Sequence, residues 1–361
     1  MIEMPWTNAT APNFMIEVTN ACNLKCKACY KSHGNRFKTL EEIAKDLDDG
    51  LRLRPAHTVA IAGGEPSLHP RIEDIIRKVK ERNVHVFMTT NGVAVDQEAL
   101  KRYKRGGLDF VLFHVDSGQS RPDLPPNPSF TDIERRVNEL AGMADACGID
   151  VSISATLYDD WRDMLPKISN AFFANPKISF LFLSRAVNPV SLEGADTTIG
   201  EIEAFFKDKH GLEPFAFIRA SSGNAKNWVS FFAPYYMAKS GGFRALAVKS
   251  NWMDACLMRM VKMLAGRHVH KTRQNPTATG VRIFLNALAG LRVWPWLVFT
   301  VKRIVSGAKL RHKMIAYDDG PRRMADGGFD HCEYCPTAIV RDGALLACCE
   351  ADTKLKTRET A

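Results

Sequence analysis

Apolar and polar residues in the first half of the chain follow two different periods. Six short apolar runs have the length and the β-branched or aromatic content of buried strands. These predicted strands are residues 14–18, 58–62, 84–88, 109–115, 149–157 and 178–183. Between them, apolar residues recur at helical spacing, as Ile72, Ile75, Ile76 and Val79 do. The pattern therefore predicts a chain that alternates strand and helix.

Two of the predicted helices begin with a capping box, in which a hydroxyl residue precedes a glutamate by three positions. The two pairs are Thr39 with Glu42 and Thr131 with Glu134. Strands that are separated by helices pair in parallel through right-handed crossovers. The sheet is therefore either open and doubly wound or a partial barrel. In both architectures the functional groups belong at the carboxyl ends of the strands.

Unusual polar motifs follow the predicted strands one after another. A cysteine loop (residues 22–29) follows the first strand. The other motifs are Gly63-Gly64-Glu65-Pro66, Thr89-Thr90-Asn91-Gly92 and Asp116-Ser117-Gly118 after the second, third and fourth strands, and Ser152 and Ser154 on the fifth. Each motif alone is typical of a turn. Their arrangement at consecutive strand ends predicts a functional site at one edge of the sheet.

The cysteine loop contains Cys22, Cys26 and Cys29 in the spacing Cys-x3-Cys-x2-Cys. Three thiolates in one short loop can bind three irons of a [4Fe–4S] cluster and leave the fourth iron open to a ligand. The alternative is a structural zinc site, which requires four ligands in a closed shell. His33 is the nearest candidate for a fourth ligand and is awkwardly placed. The spacing alone leaves both kinds of metal site open.

The three motifs together resemble those of the radical S-adenosylmethionine (radical SAM) superfamily, over roughly residues 12–190. The resemblance implies a partial (β/α)6 barrel and a catalytic [4Fe–4S] cluster on the three cysteines, with S-adenosylmethionine chelating the open iron. Gly63, Gly64 and Glu65 match the motif that supports the methionine end of the cofactor. Four further residues lie where family members contact its ribose or methionine. These residues are Asn91, Asp116, Ser117 and Ser154.

One position departs from the family pattern. Many members carry an aromatic residue directly before the third cysteine, whereas this chain has Ala28 there and Tyr30 after it. The departure concerns packing against the adenine ring and leaves the cluster ligands in place.

The resemblance also implies a reaction. A reduced flavodoxin- or ferredoxin-type protein supplies one electron, S-adenosylmethionine is cleaved reductively, and the resulting 5′-deoxyadenosyl radical abstracts hydrogen from an unactivated C–H bond. The cofactor carries this chemistry, and the protein positions it. The outcome is that of an oxidoreductase or a transferase, and the sequence leaves methylation, coupling and dehydrogenation open.

Four further cysteines lie near the C-terminus: Cys332, Cys335, Cys348 and Cys349. They resemble the start of a SPASM or twitch region in a shortened form, which implies a second iron–sulfur cluster. A zinc knuckle or no metal at all are the alternatives. Cys348 and Cys349 reach one metal only if the backbone turns between them, and Cys256 is a substitute ligand.

The net charge of +9 is concentrated in one segment. Residues 255–317 contain twelve Lys or Arg and no Asp or Glu. Two apolar runs in this segment, residues 283–291 and 293–301, are too short to span a bilayer. On one helix kinked at Pro295, basic and aromatic residues would share a membrane interface. The segment therefore predicts contact with an anionic membrane surface and a lipid or isoprenoid substrate, and it disfavours nucleic acid. The alternative is an inserted helical hairpin that packs on the barrel with its basic side in solvent.

We expect three regions: a radical SAM barrel (residues 12–220), a mainly helical basic segment (residues 221–325) and a cysteine-rich region (residues 326–361). The N-terminus does not have the pattern of a signal peptide, which predicts a cytoplasmic protein with peripheral contact at the inner face of the membrane. Two other functions fit the sequence less well. One is a peptide or protein maturase that recognises an acidic leader, and the other is a zinc-binding scaffold without catalytic activity.

Overall fold

The computed structural model describes residues 1–188, 193–223, 225–239, 241–269, 274–324 and 329–352. The strands are β1 Ile2–Glu3, β2 Asn13–Glu17, β3 Thr58–Ala62, β4 His85–Thr90, β5 Leu108–His114, β6 Asp150–Leu157, β7 Ile178–Arg185, β8 Pro214–Arg219, β9 Lys226–Met237, β10 Phe243–Ala245, β11 Arg311–Asp318, β12 Arg322–Arg323, β13 Phe329–Asp330, β14 Ile339–Arg341 and β15 Ala344–Leu346. The helices are α1 Leu40–Leu53, α2 Ile72–Lys80, α3 Gln97–Gly106, α4 Phe130–Ala146, α5 Trp161–Ala174, α6 Ile199–His210, α7 Trp252–Ala265, α8 Pro276–Ala289, α9 Val293–Val305 and α10 Cys348–Ala351.

The six predicted strands are confirmed as β2 to β7, and their pairing decides between the two architectures. They lie side by side in chain order, and every neighbouring pair is parallel. A doubly wound sheet would reverse its strand order at a switch point. An unbroken order is that of a partial barrel, as predicted. Among the described strands β2 and β7 are not paired with each other, so the sheet is not closed.

Strand β2 shows how the sheet divides its two faces. Phe14 and Ile16 are fully buried against Ile43 and Leu47 of α1, in the main hydrophobic core. Met15 lies between them and points to the other face, where it lines a cavity. This alternation places the helices α1 to α6 on the outside and the cavity on the inside.

The capping boxes are confirmed at one helix and corrected at another. Thr39 and Glu42 cap α1 reciprocally, as predicted. At α4 the box is formed by Ser129 and Asp132, two residues before the predicted pair. The Ser129 hydroxyl accepts from the Asp132 N–H, and the Asp132 carboxylate accepts from the Ser129 N–H. Aspartate fills the same role as glutamate at this distance, which is why the predicted start was two residues late.

The segment predicted to be mainly helical is helical only in its middle. Helices α7 to α9 occupy residues 252–305. On either side of them, β9 and β11 extend the sheet, with β11 parallel to β7 and antiparallel to β9. The prediction of one helix kinked at Pro295 is also wrong, because a turn separates α8 from α9. Pro295 lies in the first turn of α9, where proline is tolerated. Within the described residues no helix is long and apolar enough to cross a membrane.

Candidate active site and metal centres

A cavity of about 380 Å³ lies on the inner face of the sheet. It is lined by the cysteine loop, by the ends of β3 to β7, by β11 and by the C-terminal cysteine region (residues 331–352). Its apolar walls come mainly from the strands; they are Met15, Ala60, Phe87, Leu112, Phe180, Phe182, Trp228 and Met314. The cysteine loop, the Gly-Gly-Glu-Pro and Thr-Asn-Gly motifs and Ser154 therefore line one cavity.

Cys22, Cys26 and Cys29 all line this cavity and are half-buried. Backbone contacts hold the loop in place. Cys26 forms an isolated antiparallel β-bridge with Gln119, and the Lys27 N–H donates to the Gly118 carbonyl at 2.9 Å. Burial raises the pKa of the Cys26 thiol to about 12, and the neighbouring Cys29 adds to the shift. A thiolate at this position is therefore unfavourable until a cation stabilises it, which is the condition that metal binding supplies.

Across the part of the chain that the structure describes, no three His, Cys, Asp or Glu side chains converge on a point that suits a single metal ion. A [4Fe–4S] cluster binds each thiolate through a different iron, so its ligands surround a larger volume. Three cysteines that line the cavity without converging on one point fit a cluster better than they fit tetrahedral zinc. The donor set therefore suits the group that the sequence predicts.

Gly63 and Gly64 are required by a close approach between two backbones. A Cβ atom on Gly64 would lie 2.2 Å from the Ala21 carbonyl oxygen, and one on Gly63 would lie 2.2 Å from that of Thr19. Gly63 also has a φ of +140°, which disfavours any side chain. The Gly64 N–H donates to Thr19 at 2.8 Å. The glycine pair thus packs directly against the segment that leads into Cys22, in addition to lining the cavity.

Glu65 ties the ends of β3 and β4 together. Its Oε1 accepts from the Ser67 N–H, the Ser67 hydroxyl and the Thr90 hydroxyl, the last two at 2.6 Å. Its Oε2 accepts from the Asn91 N–H at 2.7 Å. The side chain is buried and lines the cavity. A carboxylate oxygen has two lone pairs, so Oε2 keeps one for a further donor such as an ammonium group.

Two of the other predicted cofactor contacts, Asn91 and Ser154, line the cavity. The Asn91 side chain donates to Asn23 Oδ1 at 2.7 Å and so holds the cysteine loop. Ser154 is buried on β6. Asp116 and Ser117 are not among the residues that line the cavity, since Asp116 is buried beneath its wall and Ser117 is exposed. A cofactor contact at those two positions stays a prediction.

Asp116 instead positions His114, which the sequence analysis did not identify. His114 Nε2 lies 2.6 Å from Asp116 Oδ2 and 3.3 Å from the Thr156 hydroxyl. Burial alone would raise the pKa of Asp116, but the neighbouring His114 and two backbone donors outweigh it and lower that pKa. His114 lines the cavity at the end of β5, two residues before the motif that drew attention.

Tyr158 is the second residue that the sequence analysis missed. It lines the cavity just after β6, and Ala28 packs against the small cluster that contains it. An aromatic ring from another strand end therefore lies beside the position where the chain lacks the family's aromatic residue. In the sequence, only the position of Tyr158 directly after a predicted strand could have indicated that it lines the cavity.

The C-terminal cysteines border the same cavity. Cys332, Cys348 and Cys349 line it, and Cys335 is buried nearby. The Thr337 hydroxyl lies 3.3 Å from both Cys335 Sγ and Cys348 Sγ. Hydrogen bonding from the Cys348 thiol lowers the pKa of Cys335. Cys348 and Cys349 begin the short helix α10, so the backbone turn that they require is present.

The remaining cysteines lie apart from this group. Cys256 is exposed on α7 and does not line the cavity, so it is not placed as a substitute ligand. Cys147 ends α4, packs against the main core and accepts from Gln97 Nε2 at 3.1 Å. Asp318, at the end of β11, lines the cavity, and its enclosure raises its pKa to about 7.

A buried ionic network joins the two cysteine regions. Lys31, just beyond the cysteine loop, pairs with Glu17 of β2 and lies 3.7 Å from Asp352. Arg341 of β14 bonds both of these carboxylates. The Ser32 N–H also donates to Asp352 at 3.1 Å. The end of the described chain is therefore fixed against the cysteine loop.

Comparison with known proteins agrees with this geometry. Residues 16–145 match the family model of the radical SAM superfamily. The chain is 34% identical over 105 residues to the tungsten-containing aldehyde ferredoxin oxidoreductase cofactor-modifying protein of Pyrococcus furiosus, which is 28% of this chain and 30% of that protein. It is 36% identical over 108 residues to a probable GTP 3′,8-cyclase of Pyrococcus horikoshii, covering 29% and 34% of the two chains. The matches thus span about a third of these relatives' length.

Among solved structures, Streptococcus suis SuiB bound to its precursor peptide SuiA aligns with a TM-score of 0.45 and 16% identity, over 56% of this chain and 47% of that one. The cysteine loop and the Gly-Gly-Glu-Pro and Thr-Asn-Gly motifs all fall inside the segment that the family model matches, at consecutive strand ends. Residues 16–145 therefore match the radical SAM superfamily both in their sequence motifs and in the placement of those motifs at consecutive strand ends.

Proposed function

We propose that the chain is a radical SAM enzyme that abstracts hydrogen from an unactivated C–H bond of a hydrophobic substrate in the cavity. The observation that carries this proposal is the shared lining: three cysteines, the glycine pair and Glu65 face the same apolar space. A group bound at the cysteine loop would be next to whatever fills the cavity.

Cys22, Cys26 and Cys29 would hold a [4Fe–4S] cluster, and Glu65 Oε2 would accept from the ammonium group of S-adenosylmethionine. Bound there, cluster and cofactor supply reductive cleavage to methionine and a 5′-deoxyadenosyl radical. The chain's own part is to position and to enclose. Asn91 and the glycine pair fix the cysteine loop, and the buried strand residues keep water from the reacting groups.

The cavity walls support a hydrophobic substrate such as a lipid or an isoprenoid. Phe87, Leu112, Phe180 and Phe182 come from β4, β5 and β7 and form an apolar surface inside the sheet. Polar groups such as His114 and Asp318 lie at the carboxyl ends of the strands beside this apolar surface. An apolar pocket with a few polar groups suits a hydrophobic molecule whose orientation those groups fix.

We also propose a second iron–sulfur cluster at the C-terminal cysteines. Cys335 and Cys348 both lie 3.3 Å from the Thr337 hydroxyl, and Cys332 and Cys349 line the same cavity as Cys348. The thiols of Cys332 and Cys349 have raised pKa values, chiefly because they are buried. As in the cysteine loop, a metal would stabilise their thiolates. Electrons would come from a reduced flavodoxin- or ferredoxin-type protein.

Anaerobic reconstitution with iron and sulfide, followed by dithionite and S-adenosylmethionine, tests both metal sites. The wild-type protein should contain about eight irons per chain if both clusters form and about four if only the first does. It should release 5′-deoxyadenosine. Cys26→Ala should release none, whereas Cys332→Ala combined with Cys335→Ala should lose about four irons and still release it.

Cys147→Ala is the matched control, because Cys147 lies outside both groups and should leave iron content unchanged. Two outcomes would contradict the proposal. One is zinc without iron in the anaerobically purified protein, and the other is equal 5′-deoxyadenosine release by wild type and Cys26→Ala. If the double variant keeps all of its iron while the other results are as expected, only the proposal of the second cluster is overturned.

A further inference from the structure

Exposed large apolar side chains are concentrated on helices α7 to α9. Of the seventeen in the part of the chain that the structure describes, all but Tyr30 and Phe37 belong to residues 252–305. Leu291 is 92% exposed, and Val305, Leu264 and Met263 are each more than 75% exposed. Scattered exposed apolar residues are ordinary, but this concentration indicates a surface that meets something.

Helices α8 and α9 and the turn between them form a unit that we call the α8–α9 hairpin (residues 276–305). Its exposed apolar residues follow helical spacing on both helices. On α8 and its end they are Val281, Phe284, Leu288 and Leu291, and on α9 they are Val293, Trp294, Leu297, Val301, Ile304 and Val305. Each set forms one stripe. The two helices also contact each other, since the rings of Phe284 on α8 and Trp296 on α9 are 4.9 Å apart.

The opposite face of the hairpin is anchored to the sheet. Ile283 and Phe299 are buried in a cluster with Trp228 and Phe232 of β9. Asn286 donates to Asp254 at 2.7 Å and to the Lys249 carbonyl at 3.0 Å. Because this face is fixed by packing and hydrogen bonds, the apolar stripes are held outward rather than left without a defined orientation.

Charge in residues 255–317 has one sign, although fewer of the basic residues are exposed than the sequence suggests. Lys313 is fully buried, and Arg282 stacks on Phe215 and Phe232 beside Asp254. Lys271 and Arg273 lie outside the described residues. The exposed basic side chains of the segment are Arg259, Lys302, Lys309 and Arg311, with Arg292 half-exposed between Leu291 and Val293. No acidic residue lies between residues 255 and 317 to neutralise them.

We propose that the α8–α9 hairpin lies in the interface of an anionic membrane, with its apolar stripes among the outer acyl chains and with Lys302 and the following Lys309 at the lipid headgroups. Apolar stripes with tryptophan and flanking basic residues are the features that favour this position. The inference rests on the proposed function in one respect only, which is that membrane contact would give the enzyme access to a hydrophobic substrate. Membrane binding itself does not depend on the cluster.

Charge favours a membrane over a second copy of the chain. A symmetric dimer through this face would bring the same basic residues together from both subunits. Like charges repel, and no acidic residue of the segment compensates them. An anionic lipid surface is complementary to both the apolar and the basic residues.

Flotation of the reconstituted protein with vesicles tests the proposal. The wild type should float with vesicles of phosphatidylcholine and phosphatidylglycerol at low salt, and less with phosphatidylcholine alone or at high salt. Lys302→Glu with Lys309→Glu should weaken partitioning to the anionic vesicles at least about thirtyfold, since each basic residue near the surface contributes about fivefold. Leu291→Ser with Trp294→Ser should weaken it at least about tenfold on the same vesicles.

Lys167→Glu with Lys209→Glu is the matched control, because it makes the same charge change at exposed positions of α5 and α6. It should float like the wild type. The proposal is overturned if the wild type does not float, if the control loses as much as the hairpin variants, or if the hairpin variants abolish a dimer seen in sedimentation without changing flotation. Cys26→Ala should float normally but release no 5′-deoxyadenosine, which separates membrane binding from the reaction.

Discussion

Replacing Gly64 by alanine should displace the cysteine loop by a distance that the structure defines. The new Cβ atom would lie 2.2 Å from the Ala21 carbonyl oxygen, and 3.0 Å is the closest that real Cβ atoms approach another atom. One of the two backbones must therefore move by about 0.8 Å or more. The obstacle is backbone on both sides, so no side-chain rotation can relieve it. The hydrogen bonds from Gly64 to Thr19 and from Glu65 to Ala21, both 2.8 Å, would lengthen.

We expect Gly64→Ala to lower the free energy of unfolding by about 3–5 kcal/mol, from about 1–3 for the overlap and about 1 for each of the two weakened hydrogen bonds. The chain should still fold, because the change is smaller than the stability of an ordinary domain. Cys22 follows Ala21 directly, so iron retention should also fall.

Urea unfolding of the apoprotein and iron content after reconstitution measure the two effects of Gly64→Ala separately. Gly142→Ala is the control: Gly142 lies inside α4, and its Cβ would meet nothing closer than 3.6 Å. This control should gain up to about 1 kcal/mol, since alanine favours a helix interior. Wild-type stability and iron content in Gly64→Ala would refute the argument that the glycine pair exists to let the two backbones touch.

Two other predictions concern the fold. Lys313 is fully buried and donates to three backbone carbonyls within 2.8 Å, so Lys313→Met should lower the free energy of unfolding in urea by about 2–4 kcal/mol. Lys167→Met on the surface should change it by less than about 0.5 kcal/mol. Equal stability of the two variants would contradict a stabilising role for the buried hydrogen bonds. Burial lowers the pKa of both His57 and His210 to about 4, so the folded state keeps them neutral while the unfolded state protonates near pH 6.5. Stability should be greatest above about pH 6.5 and fall as pH drops toward about 4, and the double variant with glutamine at both positions should show a shallower fall in urea titrations across this range.

The partial barrel could be predicted from the sequence because apolar residues mark each strand between helical patterns. β2, β3 and β5 are buried on both faces over nearly their whole length, whereas β6 alternates apolar residues with Ser152, Ser154 and Thr156. β11 was not identified, since its residues lie in a basic segment and include Arg311, His312 and Lys313. Pattern reasoning counts Lys313 as a surface charge. Three main-chain carbonyls, which no sequence pattern reports, make its burial possible.

The candidate site was predictable where a motif carries its own spacing and not where geometry alone brings residues together. The cysteine loop and the glycine pair are contiguous in sequence, and their positions at strand ends follow from the strand pattern. His114 and Tyr158 have no motif and are functional candidates only because β5 and β6 end beside the same cavity. Glu65 was predicted as a ligand contact, and the structure adds that it also joins Ser67, Thr90 and Asn91.

Two strand pairings explain how cysteines some three hundred residues apart come to line one cavity. A partial barrel leaves an edge at each end of its sheet, and both edges are covered by later parts of the chain. At one edge β14 pairs in parallel with β2, through Ile339 and Met15. At the other, β11 pairs with β7. The first pairing places the C-terminal cysteines over the cysteine loop, and the second brings Asp318 to the opposite wall. The ionic network around Lys31 then fixes the first edge, because any sliding of β14 would break the bond from Arg341 to Glu17. The two cysteine groups are therefore held in one register by the same strand that closes the sheet edge, and a substrate in the cavity would contact both.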